Sequence, residues 1–177
     1  MTNKYEQRYM IELACRIAHG FPARSVVAQE LYSWVEDQDL GFDWDPEIDS
    51  FRKKGVPAPV WSNLRKKLAD QFGSGTRSKP DVLTKNIILL ADHVGLTPEE
   101  RSIFELAIRA GRHGPVKSLC NTLVDDARIA VQDAVTYLSG LPAATVRRAL
   151  APSGRLLVSG LVHFHKPSVC RIQLLPS

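Results

Sequence analysis

The sequence predicts a mainly α-helical protein in which a helical N-terminal part is followed by a C-terminal winged helix-turn-helix with a β-hairpin wing. Apolar residues recur at spacings of three and four through most of the chain, which is typical of amphipathic helices. The last third instead contains a helix, a turn with glycine, a second helix and two β-rich runs, which is the winged-helix order. With 44% hydrophobic and 24% charged residues, the 177-residue chain has an ordinary globular composition.

Proline and glycine residues divide the first two thirds of the chain into helical segments. Gly20 and Pro22 end the first segment, and Pro57 and Pro59 precede the third. The predicted helices cover residues 4–18, 23–36, 59–72, 82–95, 96–111 and 113–124. The segment 82–95 is strongly apolar, so we expect it at the centre of the core.

Two further local signals predict where the chain divides into two regions and where one helix begins. The stretch GSGTRSKP at 73–80 is a flexible connector, which predicts a helical region 1–80, with an acidic loop and a basic helix, and a second domain 81–177. In the second domain Thr97 is a good helix N-cap, Pro98 suits the first helical position, and Glu100 lies three residues after the cap. These three residues predict a capping box.

The final third carries the winged-helix pattern. Residues 127–140 and 143–151 form the predicted helix pair, and Gly140 allows the left-handed turn between them. Val146, Ala149 and Leu150 are expected to face inward from the second helix. The β-rich runs 155–165 and 168–175, joined by a turn at Lys166-Pro167, form the predicted wing, which the first strand enters through residues 159–162.

This module supplies the candidate binding residues. Thr145, Arg147 and Arg148 are expected to point outward from the second helix, toward a DNA groove or a partner. Lys166 at the wing tip and Arg171 are expected to touch phosphates if the partner is DNA. From residue 127 to the end there are six basic residues and one acidic residue, which fits that interpretation. Winged helices also serve as protein-docking units, and exposed arginines are usually only solvated.

The first region is electrically polarised. Residues 30–49 carry eight acidic side chains and no Lys or Arg, whereas basic residues dominate 52–85. Arg65, Lys66 and Lys67 form a secondary basic patch that could bind a nucleic-acid backbone or an acidic partner. The simpler interpretation, which we prefer, is that the basic block neutralises the acidic loop within the chain.

Patterns for catalysis, metals or cofactors are weak. The acidic run from Asp43 to Asp49 lacks the glycine and glutamate of an EF-hand loop. His163, His165 and Cys170 could hold zinc only with a fourth ligand that the spacing does not supply. The run GSGTRSK is not a P-loop, because it lacks the required spacing and follows a helix. We therefore expect no catalytic residue, no metal site and no cofactor.

The three cysteines and the net charge indicate the cellular compartment and limit what can be said of the partner. Their odd number and wide separation exclude a disulfide framework and favour a reducing cytoplasm. Neither a signal peptide nor a membrane-spanning run is visible, so we expect no membrane partner. A formal net charge of +4 is too small to prove a nucleic-acid partner.

Two stretches resemble a known family. The segment LADHVGLTPEERSIFELAIRAG, followed by LSGLPAATVRRALAPSGRLLVSGLV, resembles the region that precedes the ATPase module in a group of bacterial AAA+ ATPases. The likeness covers about residues 60–162 and is a pattern of apolar residues and turns that carries no catalytic residue. The ATP-binding motifs of that family do not occur here, so no nucleotide site is carried over.

The resemblance implies a non-catalytic N-terminal recognition or adaptor domain of an AAA+ ATPase, with the ATPase module expected beyond residue 177. Its partner would be a protein or double-stranded DNA. Both a monomer and a homo-oligomer are compatible with the sequence. The alternative is a winged-helix DNA-binding transcriptional regulator that inserts the helix at 143–151 into the major groove. A continuous positive face would favour DNA, and an apolar or mixed face would favour protein docking.

Overall fold

A computed structural model describes residues 4–38, 40, 55–74 and 79–162 of the chain. The chain divides into two compact units, Met1–Lys79 and Pro80–Ser177. Within the described ranges the regular structure is helical and no β-strand occurs. The prediction of a mainly α-helical protein is therefore confirmed.

The first unit contains three described helices, α1 (Lys4–Gly20), α2 (Val26–Asp37) and α3 (Ala58–Ser74). Helix α1 packs against both α2 and α3. Ser25 begins α2, because its hydroxyl accepts a hydrogen bond from the amide of Ala28 at 3.1 Å. The buried apolar side chains of this unit include Leu13, Ile17, Leu31, Val35, Trp61, Leu64 and Leu68.

Arg65 closes the C-terminal end of α1. Its Nε donates to the carbonyl of Ala18 at 2.6 Å, and its Nη2 donates to the carbonyl of Phe21 at 2.6 Å. The indole Nε1 of Trp61 also donates to the Phe21 carbonyl, at 3.1 Å. The bond to Ala18 satisfies a carbonyl of the last turn of α1, and the positive charge of Arg65 suits the negative end of the helix dipole.

The second unit contains six described α-helices and one π-helical turn. They are α4 (Val82–Val94), α5 (Pro98–Arg112), α6 (Gly114–Asn121), the π-helical turn Thr122–Asp126, α7 (Val131–Ser139), α8 (Ala143–Ala149) and α9 (Arg155–Val158). Helix α5 packs against α4, α6, α7 and α8, so it is the centre of the unit. None of the helices in the described ranges combines the length and apolar character that crossing a bilayer requires.

The expected central position of the segment 82–95 is wrong. Only Thr84, Ile87 and Ala91 of α4 are buried. Val82 and Leu89 on its other side are 72% and 69% exposed. High hydrophobicity predicted burial, but it does not tell which sides of a helix the neighbouring helices cover.

The ends of the helices follow the local sequence signals. The hydroxyl of Thr97 accepts from the amide of Glu100 at 3.2 Å, and the Glu100 carboxylate accepts from the amide of Thr97 at 2.8 Å. The predicted capping box is thus confirmed, with Pro98 in the first turn. Gly140 ends α7 at φ 68°, which confirms the predicted left-handed turn.

The predicted β-hairpin wing is wrong where the structure describes it. Residues Arg155–Val158, expected to begin the first wing strand, form the short helix α9. Gly160 follows at φ 71°, and the amide of Val162 donates to the carbonyl of Leu156 at 3.0 Å. This turn buries Leu156 and Val162. In a strand, the two side chains would share a face because side chains alternate between the two sides. The rest of the predicted hairpin, residues 163–177, lies outside the described residues.

A buried arginine ties α4 to α5. The side chain of Arg109 is 1% exposed, and its Nη2 donates to the Thr84 hydroxyl at 2.7 Å and to Asp81 Oδ1 at 3.3 Å. Its Nε donates to Glu105 Oε1 at 3.0 Å. Asp81 is also the N-cap of α4, where its carboxylate accepts from the amide of Thr84 at 2.7 Å. One guanidinium therefore bonds the start of α4 and the interior of α5.

Candidate functional site

Helices α7 and α8 pack against each other across a short turn, in the order expected of a helix-turn-helix. Three residues, 140–142, join them, and α8 begins after Pro142. Ala134 and Leu138 are buried on α7. Val146, Ala149 and Leu150 are buried at α8 and its C-terminal end, as their spacing predicted. The pair therefore packs through its apolar sides and presents the remaining residues of α8 outward.

The structure separates the predicted binding residues into three groups. Arg147 and Arg148 are exposed on α8, and Thr145 is half-buried beside them. Lys66 of the secondary patch is exposed, whereas Arg65 and Lys67 are half-buried, and Arg65 closes the end of α1. Lys166 and Arg171 lie outside the described residues, as do the acidic run 43–49 and the residues His163, His165 and Cys170.

Beside α8 lies an open cleft of about 360 Å³. Its walls come from the first turn of α5, from α8, and from the loop that leads into α9. The lining residues are Thr97, Glu99, Glu100, Thr145, Arg148, Ala149, Ala151, Ser153, Gly154 and Arg155. Arg148 and Thr145 thus belong to the cleft, whereas the neighbouring Arg147 does not line it.

Two contacts hold the walls of the cleft in place. The guanidinium of Arg155 donates to the carbonyl of Gly95, which joins the start of α9 to the turn between α4 and α5. Gly154 lies against the backbone of α8, because a Cβ on it would stand 2.6 Å from the Ala149 carbonyl oxygen. The Arg155 contact joins segments 60 residues apart in sequence, whereas the Gly154 contact is local.

The charges that line the cleft are mixed. Glu99 and Glu100 contribute two carboxylates, and Arg148 and Arg155 contribute two guanidinium groups, so the lining has no formal net charge. The Glu100 carboxylate is engaged in the capping box, and Arg155 is engaged with Gly95. Such a lining suits a ligand with groups of both signs and does not present the continuous positive surface that a phosphate backbone requires.

A cysteine and a histidine lie close together in the first unit. Cys15 Sγ is 3.6 Å from His19 Nδ1, one turn along α1. Burial raises the pKa of the Cys15 thiol, and His19 Nδ1 is 2.8 Å from the Cys15 carbonyl oxygen. Because a carbonyl can only accept, this nitrogen carries the proton and cannot take one from the thiol. The pair therefore lacks the features of an activated nucleophile.

Metal ligands do not cluster in the described ranges 4–38, 55–74 and 79–162. There, no group of three or more His, Cys, Asp or Glu side chains is arranged to hold an ion.

Comparison with family models, curated proteins and solved structures finds no match to this chain. The site is therefore defined by its own geometry. Sequence reasoning found Thr145 and Arg148 but missed Glu99, Glu100, Ser153 and Arg155 as neighbours of α8. Glu99 and Glu100 lie far from α8 in sequence, and Ser153 and Arg155 lie beyond its C-terminal end, so no helical period could have joined them to it.

Proposed function

We propose that this chain is a non-catalytic recognition module that docks a protein segment in the cleft beside α8. The single observation that carries the proposal is the mixed lining of that cleft, where Arg148 stands with Glu99 and Glu100 next to the second helix of a helix-turn-helix. Peptide segments offer carboxylates, ammonium groups and backbone amides together, which is the chemistry that this lining complements. A duplex offers phosphates, and the lining, with as many carboxylates as guanidinium groups, gives them no net attraction.

The resemblance of about residues 60–162 to the segment before the ATPase module of bacterial AAA+ proteins supports an adaptor role. In this proposal the module recruits a protein partner for such a motor, and this chain itself binds no nucleotide. Isothermal calorimetry with ATP and Mg²⁺ is expected to give no heat of binding. A micromolar affinity for ATP would contradict the adaptor proposal.

Arg147 and Arg148 supply a matched pair for the test, because they are adjacent and exposed on the same helix and only Arg148 lines the cleft. Peptides selected by the wild-type chain from a displayed random library are titrated against Arg148→Glu and Arg147→Glu. We expect the dissociation constant to rise about tenfold or more for Arg148→Glu, as for loss of a central charged contact, and less than about twofold for Arg147→Glu.

Equal effects of the two substitutions, or failure to select any peptide that competes for one site, would contradict docking in the cleft. Far-UV circular dichroism of both variants checks that they keep the wild-type helix content.

The alternative function is sequence-specific DNA binding by α8. It is favoured by the helix-turn-helix itself and by the exposed pair Arg147 and Arg148 on its second helix. It predicts a salt-dependent mobility shift of duplex DNA that the combined change Arg147→Ala and Arg148→Ala weakens sharply. Protein docking instead predicts no such shift at low salt.

A further inference from the structure

The outward face of α4 is exposed and carries large apolar side chains. Val82, Leu89 and Leu90 are 72%, 69% and 40% exposed, whereas the opposite side of the helix is buried against its own unit. Asn86 and His93 lie on the same outward side and are also exposed. None of these residues lines the cleft beside α8, so this face is separate from the proposed docking site.

The residues of this face form a central seam and two flanks. Because each residue of an α-helix turns by about 100°, Val82, Asn86, Leu89 and His93 share one stripe with spacings of four, three and four. One flank of the seam carries Leu83 and Leu90. The other flank carries Lys85 and Asp92, which are both exposed. The spacing is that of the core positions of a coiled-coil heptad, with the flanks at the neighbouring positions.

Two copies of this face complement each other only when the helices run antiparallel. In a parallel pair related by a two-fold axis, the charged flank of one helix lies beside the apolar flank of the other. In an antiparallel pair each flank meets the same flank of the second copy. The arrangement of charges on α4 therefore distinguishes the two orientations.

One register satisfies both flanks together. When Leu89 of one copy lies beside Asn86 of the other, Lys85 lies beside Asp92 of the other. On the opposite flank Leu83 then lies beside Leu90. The two-fold axis repeats every contact, so the pair contains two ion pairs and two apolar flank contacts across the seam. Opposite charges along one flank are what make the helix complementary to itself.

We propose that α4 is a self-association surface on which a second copy of this chain binds, with the two α4 helices antiparallel about a two-fold axis. A helix of 13 residues is about 20 Å long, so the interface is smaller than that of a stable dimer and the association is weak. Val82 and Leu89 in the seam and Leu83 with Leu90 on one flank supply the affinity, and Lys85 with Asp92 fix the orientation.

Sedimentation equilibrium of the full chain from about 10 µM to about 0.5 mM measures the association. We expect a monomer–dimer equilibrium that Leu89→Glu weakens about tenfold or more, because it replaces an apolar contact of the seam by a carboxylate. Val158→Glu is the matched control, since Val158 is a 72% exposed valine on α9. It should leave the dissociation constant within about twofold of the wild type.

Charge reversal tests the register. Lys85→Glu gives an acidic flank and Asp92→Lys gives a basic one, so each variant alone should dimerise more weakly than the wild type. An equimolar mixture of the two should form heterodimers, and the chain with both changes should regain the wild-type dissociation constant. Circular dichroism checks that each variant remains helical.

Three results would overturn the proposal. They are a wild-type chain that stays monomeric at about 0.5 mM, equal weakening by Leu89→Glu and Val158→Glu, and a mixture of the charge variants that does not associate. If the wild-type chain stays monomeric, the partner of the α4 face is a different protein and not a second copy of this chain.

Discussion

Arg109 lies on the buried side of α5 and is the most buried charged side chain described in the second unit. Its bonds to Asp81, Thr84 and Glu105 compensate for removing a guanidinium from water. The helical spacing alone places this arginine among the apolar positions of α5, so the sequence indicates that it is buried. The partner at Asp81, 28 residues earlier, has no such signal, because only the packing of α4 on α5 brings the two together.

Loss of this side chain should destabilise the second unit strongly. Arg109→Ala leaves the carboxylates of Asp81 and Glu105 without their cation, and we expect the free energy of unfolding to fall by about 3 kcal/mol. Arg112→Ala, an exposed arginine on the same helix, should change it by less than about 0.5 kcal/mol. Urea unfolding followed by circular dichroism measures both, and similar values for the two would show that the buried network contributes little.

The same network gives stability a dependence on pH. Burial alone would raise the pKa of Asp81, but hydrogen bonds from Thr84 and the charge of Arg109 outweigh it and lower that pKa below its ordinary value of 3.8. A lowered folded-state pKa means that ionised Asp81 stabilises the fold above pH 3.8. This contribution is lost as the pH falls below that value, through the folded-state pKa.

Asp81→Asn isolates the charge, since asparagine also caps helices well. We expect the variant to be less stable than the wild type at neutral pH, with a difference that shrinks as the pH is lowered below 3.8. Unfolding free energies measured across acidic pH test this. A difference that stays constant down to the acid limit would show that the Asp81 charge is not the source.

At the scale of elements, the sequence predicted what is local and missed what depends on packing. The capping box at Thr97 and the turn at Gly140 were readable because each needs specific residues at fixed spacing. Helix α9 could not be predicted in this way, because an apolar run as short as residues 156–158 fits a helix and a strand equally well. The predicted wing strand failed for that reason.

Gly154 offers a test of α9. A Cβ at this position would meet the carbonyl oxygens of Ala149 at 2.6 Å and Ala151 at 2.9 Å, which are backbone atoms that cannot swing away. Gly154→Ala should therefore cost about 1–3 kcal/mol of stability, as overpacking does. Gly114→Ala, where nothing lies within 4 Å of the added carbon, should be neutral or slightly stabilising. Thermal unfolding of the two variants compares them, and a tolerated Gly154→Ala would contradict the close approach.

At the scale of the molecule, the chain carries two units, and the proposed site belongs to the second. The sequence predicted Thr145 and Arg148, which fall at the cleft, because an exposed helix face is readable from spacing alone. It did not predict Glu99 and Glu100 beside them, because the first turn of α5 reaches α8 only through the fold. With those two carboxylates beside it, α8 forms one wall of a cleft of mixed charge.

Nuclear magnetic resonance of the full chain tests the central claim most directly, because it locates binding residue by residue. A peptide selected by the wild-type chain is expected to shift the amide signals of the non-proline residues in 97–100 and 145–155, with the changes centred on Arg148. Duplex DNA at low salt is expected to leave those signals in place. Peptide-induced shifts that cluster away from the cleft, or shifts at α8 produced by DNA alone, would contradict protein docking at this site.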